Sequence, residues 1–450
     1  MVTIRRKASI PTGRFVSEKM LFGGVVCLHD SLAPFWEDCT WIRALLRGGD
    51  SERSSFFRYR SGSFPRGVTE SQTKDKGKSP ILIVCGAGYV SGKEVMALEL
   101  GQGLAGKGKP VSFITSSWNN SDFLGRLERA GLPTQILPIG FISATLTWEC
   151  LRMTGEQIWR LPGLLWGYSR ILRLLGPRKV VHTNWHHVLL LLPFLRPDRD
   201  LYWLHEFVPD LPQYRRVFGW FARRMNCFVC VSQAVAGSLR RLGIDEAKIR
   251  VIHNGITDLL SANPNQQGAA AFRIGIVGQV AAWKGHDDLL DAFAVVNQRH
   301  ASSELHVFGK GDPTYRGELE RKSIGLGIAK SVKWHEFVND RRDIYPNLDL
   351  CVVPSRSQDP LPTSAIEAGF SGLPVIATRR GGLPEIVEHE TNGLLVEAQR
   401  PAEIADALCR LINDPQLRQR LAGNARRCAT ERFGRERFLG EFLGLLEKQE

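Results

Sequence analysis

Between Cys351 and Gly393 the sequence runs CVVPSRSQDPLPTSAIEAGFSGLPVIATRRGGLPEIVEHETNG and reads as strand, loop, helix, strand, loop, helix in one pass. Leu350 to Val353 is a short apolar run suited to a buried strand. Pro354 to Pro362 is a proline-broken loop that holds Asp359. Pro362 suits the first position of a helix, where a missing N–H costs nothing. Thr363 to Phe370 continues as helix and carries Glu367; Gly372 stops it, and Pro374 to Thr378 is the next strand. A helix that opens just after a buried strand presents free N–H groups and a partial positive charge, which together hold phosphate. Carboxylates beside that end accept hydrogen bonds from sugar hydroxyls. The stretch therefore points to a site for a sugar carried on a nucleotide.

The same alternation extends over most of the 450 residues, a length that allows two to four domains. Order begins at Pro80 with the strand Ile81 to Cys85, a glycine loop (Gly86, Gly88, Gly92), a helix from Glu94 to Gly106 and a second strand, Val111 to Thr115. Strands follow at 135–139, 179–183, 201–204, 227–231 and 249–252, with helices at 151–175, 187–195, 213–225 and 233–241. Residues 257–272, TDLLSANPNQQGAAAF, read as a linker. A second series then starts, with strands at 273–277, 303–308 and 331–334, and helices at 286–299, 315–325 and 340–346. Further helices at 401–413, 415–430 and 434–447 follow the stretch described above. The pattern is α/β, with doubly wound parallel-sheet domains at 80–256 and 273–432 and a cleft expected between them. A last helix, within 433–450, can reach back to the first domain. The glycine loop does not make a dinucleotide site: its spacing is loose, and Thr115-Ser116-Ser117 supplies no acid for a ribose.

Composition narrows the classes further. No apolar run is long enough to cross a bilayer, and MVTIRRKASIPTGRF lacks the apolar core of a signal peptide. A cytoplasmic protein is the expectation. The nine scattered cysteines fit a reducing compartment; Cys227 and Cys230, in an apolar run without a second pair, read as buried thiols. A net charge of +13 favours anionic partners, but no nucleic-acid-binding signature accompanies it. Two basic, aromatic segments, 151–179 and 213–224, suit an anionic membrane surface or the packed side of the first sheet. Residues 1–79 are basic and aperiodic and read as a disordered extension, a tether or a stretch outside the natural protein. Asp198-Arg199-Asp200 precedes a strand instead of ending one and reads as a turn, so no metal motif is assigned.

Several motifs, in order, resemble one family. GAGYVSGKE, VCVSQAVAGSLRRLGI with IRVIHNGI, IGIVGQVAAWKGHDDLLDAFA, and GLPVIATRRGGLPEIV with NGLLV are similar to segments of the retaining glycosyltransferases of family 4. The resemblance covers residues about 80 to 445 and implies the GT-B fold, two tandem Rossmann-like domains. It also implies transfer of a hexose from a nucleotide diphosphate sugar to a hydroxyl acceptor, in cell-surface polysaccharide or glycolipid synthesis, with no metal or other cofactor. The family's pair of acids falls on Asp359, for the donor sugar, and Glu367, for the ribose. Asp359 is shorter than the usual Glu. The amides that hold phosphate and sugar fall on Leu361, Thr363 and Ser364, with Pro362 in place of a glycine. The diphosphate clamp falls on Lys284; its second member is the neutral Gln279, next to Gly278, unless Arg356 substitutes. Phe337 and Val338 take the nucleobase positions, Gly92 the first glycine loop, and His205, followed by Glu206, an active-site polar group. His253 and His286 read as structural. The departures at Gln279, Asp359 and Pro362 leave open a binding protein without transfer activity, and the fold leaves open an epimerase or phosphorylase.

Overall fold

In the computed structural model, residues 79–86, 90–118, 122–142, 147–258, 271–338 and 340–447 are described. The extension at 1–79 (Ser79 apart), Gly88 and most of the 257–272 linker lie outside them. Seven strands build the first sheet: β1 Ile81–Val84, β2 Val111–Ser116, β3 Thr134–Leu137, β4 Lys179–His182, β5 Asp200–Leu204, β6 Cys227–Cys230 and β7 Ile249–Val251. Its helices are α1 Gly92–Gly106, α2 Asp122–Arg129, α3 Trp148–Leu175, α4 Trp185–Leu190, α5 Pro212–Arg224 and α6 Gln233–Arg241. The second sheet has six strands: β8 Phe272–Val277, β9 Ser303–Phe308, β10 Val332–His335, β11 Leu350–Val353, β12 Val375–Thr378 and β13 Gly393–Val396. With it go α7 His286–Arg299, α8 Pro313–Gly325, α9 Thr363–Phe370, α10 Leu383–Ile386, α11 Pro401–Asn413, α12 Pro415–Phe433 and α13 Arg435–Glu447.

The strand orders are β3-β2-β1-β4-β5-β6-β7 and β10-β9-β8-β11-β12-β13, and the recorded ladders are all parallel. The order reverses between β1 and β4 in the first sheet and between β8 and β11 in the second. At such a reversal the loops leaving the two strands diverge and open a crevice. The strands read as unbroken apolar runs because helices cover both faces. Along β1, Ile81 and Ile83 join one apolar cluster while Leu82 and Val84 join the cluster on the other face.

Helix α13 runs back over the first sheet. Its Leu439 fills the space a side chain at Gly103 of α1 would need, 2.3 Å from an added Cβ. Phe438 and Phe442 pack on Trp203 of β5 at ring separations of 5.7 and 4.8 Å. Lys107 pairs with Glu436 at 2.7 Å, and Lys109 with Glu447.

The boundaries differ from the sequence reading in a few places. The helix expected at 340–346 is two 3-10 turns, Arg341–Asp343 and Tyr345–Asn347, because Pro346 cannot continue an α-helix. Pro362 caps α9 from the position before its first residue, with an extended ψ of 119°. Helix α2 was not expected, although its Phe123 and Leu127, four residues apart, are buried on one face. Asp198 and Arg199 form the turn before β5, whose first residue, Asp200, accepts from His182 at 2.8 Å and Arg199 at 2.9 Å. Cys227 and Cys230 are buried, and burial pushes the Cys230 thiol up to about 12.

Candidate active site

The two acids of the 351–393 stretch sit at the reversal point of the second sheet. Asp359 lies in the loop between β11 and α9 and is almost fully buried. Its Oδ2 accepts from Lys284 Nζ at 2.7 Å and from the Ser355 hydroxyl at 2.9 Å. Lys284 ends a 3-10 turn, Ala282–Lys284, just after β8, and its ammonium stands 4.1 Å from the Trp283 ring centroid. Two glycines permit this convergence. Gly285 has φ +77°, and a Cβ there would lie 1.9 Å from the Pro354 carbonyl oxygen. Gly381 has φ +55°, and a Cβ there would lie 2.0 Å from the Asp359 carbonyl oxygen. That same oxygen accepts from the Gly382 N–H at 2.7 Å. The Asp359 loop is thus held between the β8 turn on one side and the Gly381-Gly382 turn on the other.

Glu367 lies one turn into α9 and is buried. The Tyr345 hydroxyl donates to its Oε2 at 2.7 Å, and Arg341 Nε approaches Oε1 at 3.3 Å. Sequence reading missed both partners. Tyr345 stands 22 residues before Glu367, in a 3-10 turn, where no periodic signal links the two.

A hollow lies between β8, β11 and α9, lined by Gly278, Gln279, Lys284, His286, Pro354 and Ser364, among others. Of the expected site residues it therefore brings together Gly278, Gln279, Lys284 and Ser364, with Asp359 bonded to Lys284. Thr363 and Ser364 are the first two residues of α9, whose N–H groups have no acceptor within the helix, and Leu361 is buried beside them. His286 is buried, and burial lowers it to about 4, so its imidazole is neutral near pH 7. Arg356 is engaged with protein groups. Its guanidinium grips Asp288 of α7 through two contacts of 2.7 Å, and its backbone N–H donates to the Trp283 carbonyl at 2.7 Å. It braces the lysine turn.

Other expected residues stand farther out. Phe337 is exposed and Val338 half-buried, in the loop after β10. Gly92 opens α1, and a side chain there would meet nothing within 4 Å. His205 stands at the end of β5, on the other sheet, and no contact joins it to Lys284, Asp359 or Glu367. Its Nε2 is buried without a partner, and burial, aided by the Lys93 charge, lowers it to about 3. Lys93 acts in the same sense on His186 and His187. These groups gather at the ends of β1, β4 and β5, beside the first sheet's reversal point.

The halves are bonded directly. Glu385 of α10 accepts from the backbone N–H groups of Gln233 and Ala234 at the start of α6, both at 2.8 Å, and from His253 Nε2 at 2.9 Å. His253, expected to be structural, makes its bond between the halves.

The architecture defines a class: two parallel doubly wound sheets in tandem, the GT-B fold. The Anabaena protein HepE, crystallised with UDP and glucose, superposes with a TM-score of 0.68 at 21% identity, covering 82% of this chain and 100% of that one. A sucrose-phosphate synthase from Thermosynechococcus elongatus does so at 0.66, also at 21% identity, over 82% and 98%. Residues 90–258 match the model of glycosyltransferase family 4 and residues 271–414 that of the glycosyl transferases group 1, so the chain belongs to this glycosyltransferase family. Among curated relatives, an uncharacterised glycosyltransferase of Methanocaldococcus jannaschii is 32% identical over 202 residues, 42% of this chain and 51% of that protein. A D-inositol 3-phosphate glycosyltransferase of Actinosynnema mirum is 33% identical over 199 residues, 40% of this chain and 47% of that protein. The chain spans about half the length of the curated relatives it matches.

Proposed function

We propose that this protein transfers a hexose from a nucleotide diphosphate sugar to a hydroxyl acceptor with retention at the anomeric carbon. The observation that carries the reading is the meeting of Lys284, Asp359 and the α9 N-terminus at the second sheet's reversal point, with Glu367 one turn further in. A diphosphate at that helix end would face aligned N–H groups and one ammonium. Lys284 has two further N–H donors for the diphosphate, and where it turns from Asp359 it frees that carboxylate for sugar hydroxyls. Glu367, already oriented by Tyr345 and Arg341, retains acceptor capacity for ribose hydroxyls.

The reaction follows as a displacement on one face. The anomeric C–O bond to the diphosphate breaks, and the departing phosphate oxygen takes the proton of the acceptor hydroxyl. The acceptor oxygen bonds to the anomeric carbon on the face just vacated. Lys284 and the helix end stabilise the charge on the leaving diphosphate, and the scheme requires no metal. The acceptor is a glycan or lipid-linked sugar of cell-surface polysaccharide or glycolipid synthesis, met by a cytoplasmic protein at the inner face of the membrane. HepE's ligands make UDP-sugars the first donors to try.

A thermal-shift screen of UDP-, GDP- and ADP-sugars tests the donor, since a ligand that binds only the folded chain raises its melting temperature. The best donor is then offered to trial acceptors. Lys284→Ala and Glu367→Ala should each reduce transfer by about 100-fold or more; wild-type rates in both would sink the assignment. A second reading, donor binding without transfer, draws on the neutral Gln279 and on the engagement of Lys284 and both acids with protein partners. Donor binding with neither transfer nor donor hydrolysis would select it.

A further inference from the structure

The long helix α3 carries a surface that the reaction does not use. It spans 28 residues, roughly 42 Å of axis. Its inner side is ordinary: Leu164, Tyr168 and Ile171 pack against Leu82, Val84 and Val180 of the first sheet. Its outer side is not. Trp148, Trp159 and Trp166 are 79%, 85% and 55% exposed, and Ile158 is 59% exposed. At 3.6 residues per turn, the three tryptophans fall within about 20° of one line along the helix, and Arg152, Arg170 and Arg173 fall within about 40° of it. All three arginines are exposed, and Arg170 lies 5.7 Å over the Trp166 ring. The described acid nearest this stripe, Glu156, already pairs with Arg160 at 2.6 Å. Three indoles in water on one line are costly for a soluble surface.

From the alternation of indole and guanidinium along this line, we propose that the outer face of α3 lies flat on an anionic lipid surface. Indoles settle at the boundary between acyl chains and headgroups, and arginines beside them meet lipid phosphate while their stems cover apolar area. A second copy of the chain is the poorer occupant: face-to-face pairing of this stripe would set Arg152, Arg170 and Arg173 against the same three arginines. The helix lies on the membrane and does not enter it, since no helix among the described residues is long and apolar enough to cross. The other basic, aromatic segment is not part of this surface. Helix α5 buries Phe218 and Phe221 in the cluster on the opposite face of the sheet, so its Trp220 and its arginines belong to another side. The surface rests on the proposed function only in giving a membrane-held acceptor a place to be met.

The test is co-sedimentation of the full chain with vesicles of phosphatidylcholine containing phosphatidylglycerol, against phosphatidylcholine alone. Binding is expected to the anionic vesicles at low salt and to weaken as salt screens the arginines. Trp159→Ser/Trp166→Ser and Arg152→Gln/Arg170→Gln should each lower the vesicle partition coefficient about tenfold. Both double variants should keep the wild-type melting temperature and its shift with the best nucleotide. The proposal is overturned if wild-type protein stays in the supernatant, if both variants sediment as wild type does, or if the tryptophan variant instead abolishes a concentration-dependent dimer. A protein that binds anionic vesicles yet shows no nucleotide shift would retain the surface and lose the donor site.

Discussion

The pairing of Lys284 with Asp359 makes one side chain do two tasks, and the two can be separated. Asp359 is 3% exposed, and a carboxylate in that position needs its partners. Lys284→Ala strips the largest of them, so unfolding in urea should show a loss of about 3 kcal/mol. Lys284→Ala/Asp359→Ala removes both charges and should recover part of that loss while donor binding stays absent. If the double variant is no more stable than the single one, the pair is not a mutual neutralisation. Asp359 and Glu367 could be read from the sequence because a strand, a loop and a helix start fix where they stand, whereas Lys284 was reached through the resemblance of its motif to the family. Their partners could not. Tyr345 and Ser355 reach the acids through packing between segments whose spacing carries no period, and Arg356 was open between a phosphate and a protein carboxylate until Asp288 was placed beside it.

At the scale of elements, two glycines decide whether the Asp359 loop can take its course. Gly381→Ala would drive a Cβ into the Asp359 backbone at a positive φ. The expected cost is about 2 kcal/mol or more in chemical denaturation, with a weaker melting shift on adding donor. Gly372→Ala is the control: its φ is also positive, at +66°, but its Cβ would meet nothing within 4 Å, so the donor-induced shift should survive. The strands and long helices were legible because burial on both faces leaves no other use for such apolar runs. Residues 341–347 were not, since Pro346 decides between one helix and two tight turns. The fourth helix likewise splits where Pro193 enters a 3-10 turn, Leu192–Phe194, instead of continuing to 195.

Across the whole molecule, one carboxylate, Glu385, bridges the halves alongside the packing of α13. Burial alone would raise the Glu385 carboxyl, but hydrogen bonds from His253 and the amides of Gln233 and Ala234 outweigh it and hold the group below its ordinary 4.5. A depressed carboxylate contributes fully above its unfolded value, and that contribution drains as pH falls through the folded one. Glu385→Gln should therefore cost about 2 kcal/mol at pH 7, and its gap from wild type should close below pH 4.5. A gap that stays constant with pH would remove the ionised carboxylate from the join. The histidines act earlier and in both proteins alike. Burial holds His186 and His286 at about 3 and about 4, whereas the unfolded chain takes up their protons near 6.5. Stability should accordingly fall as pH drops below 6.5, by melting temperature. Two sheets were legible from two runs of strand and helix, but the wiring between them was not: a Glu in GGLPE gives no sign that its donors lie some 150 residues earlier.

Helix α13 has a consequence for how the molecule is made. Phe438, Leu439 and Phe442 complete the packing around Trp203 and Gly103, yet they leave the ribosome after the whole second half. The first half must wait, unfinished, while everything after it is synthesised. Stalled nascent chains that end at 433 should show the first sheet open to a protease that spares the released protein. Supplying residues 435–447 as a separate peptide should close it.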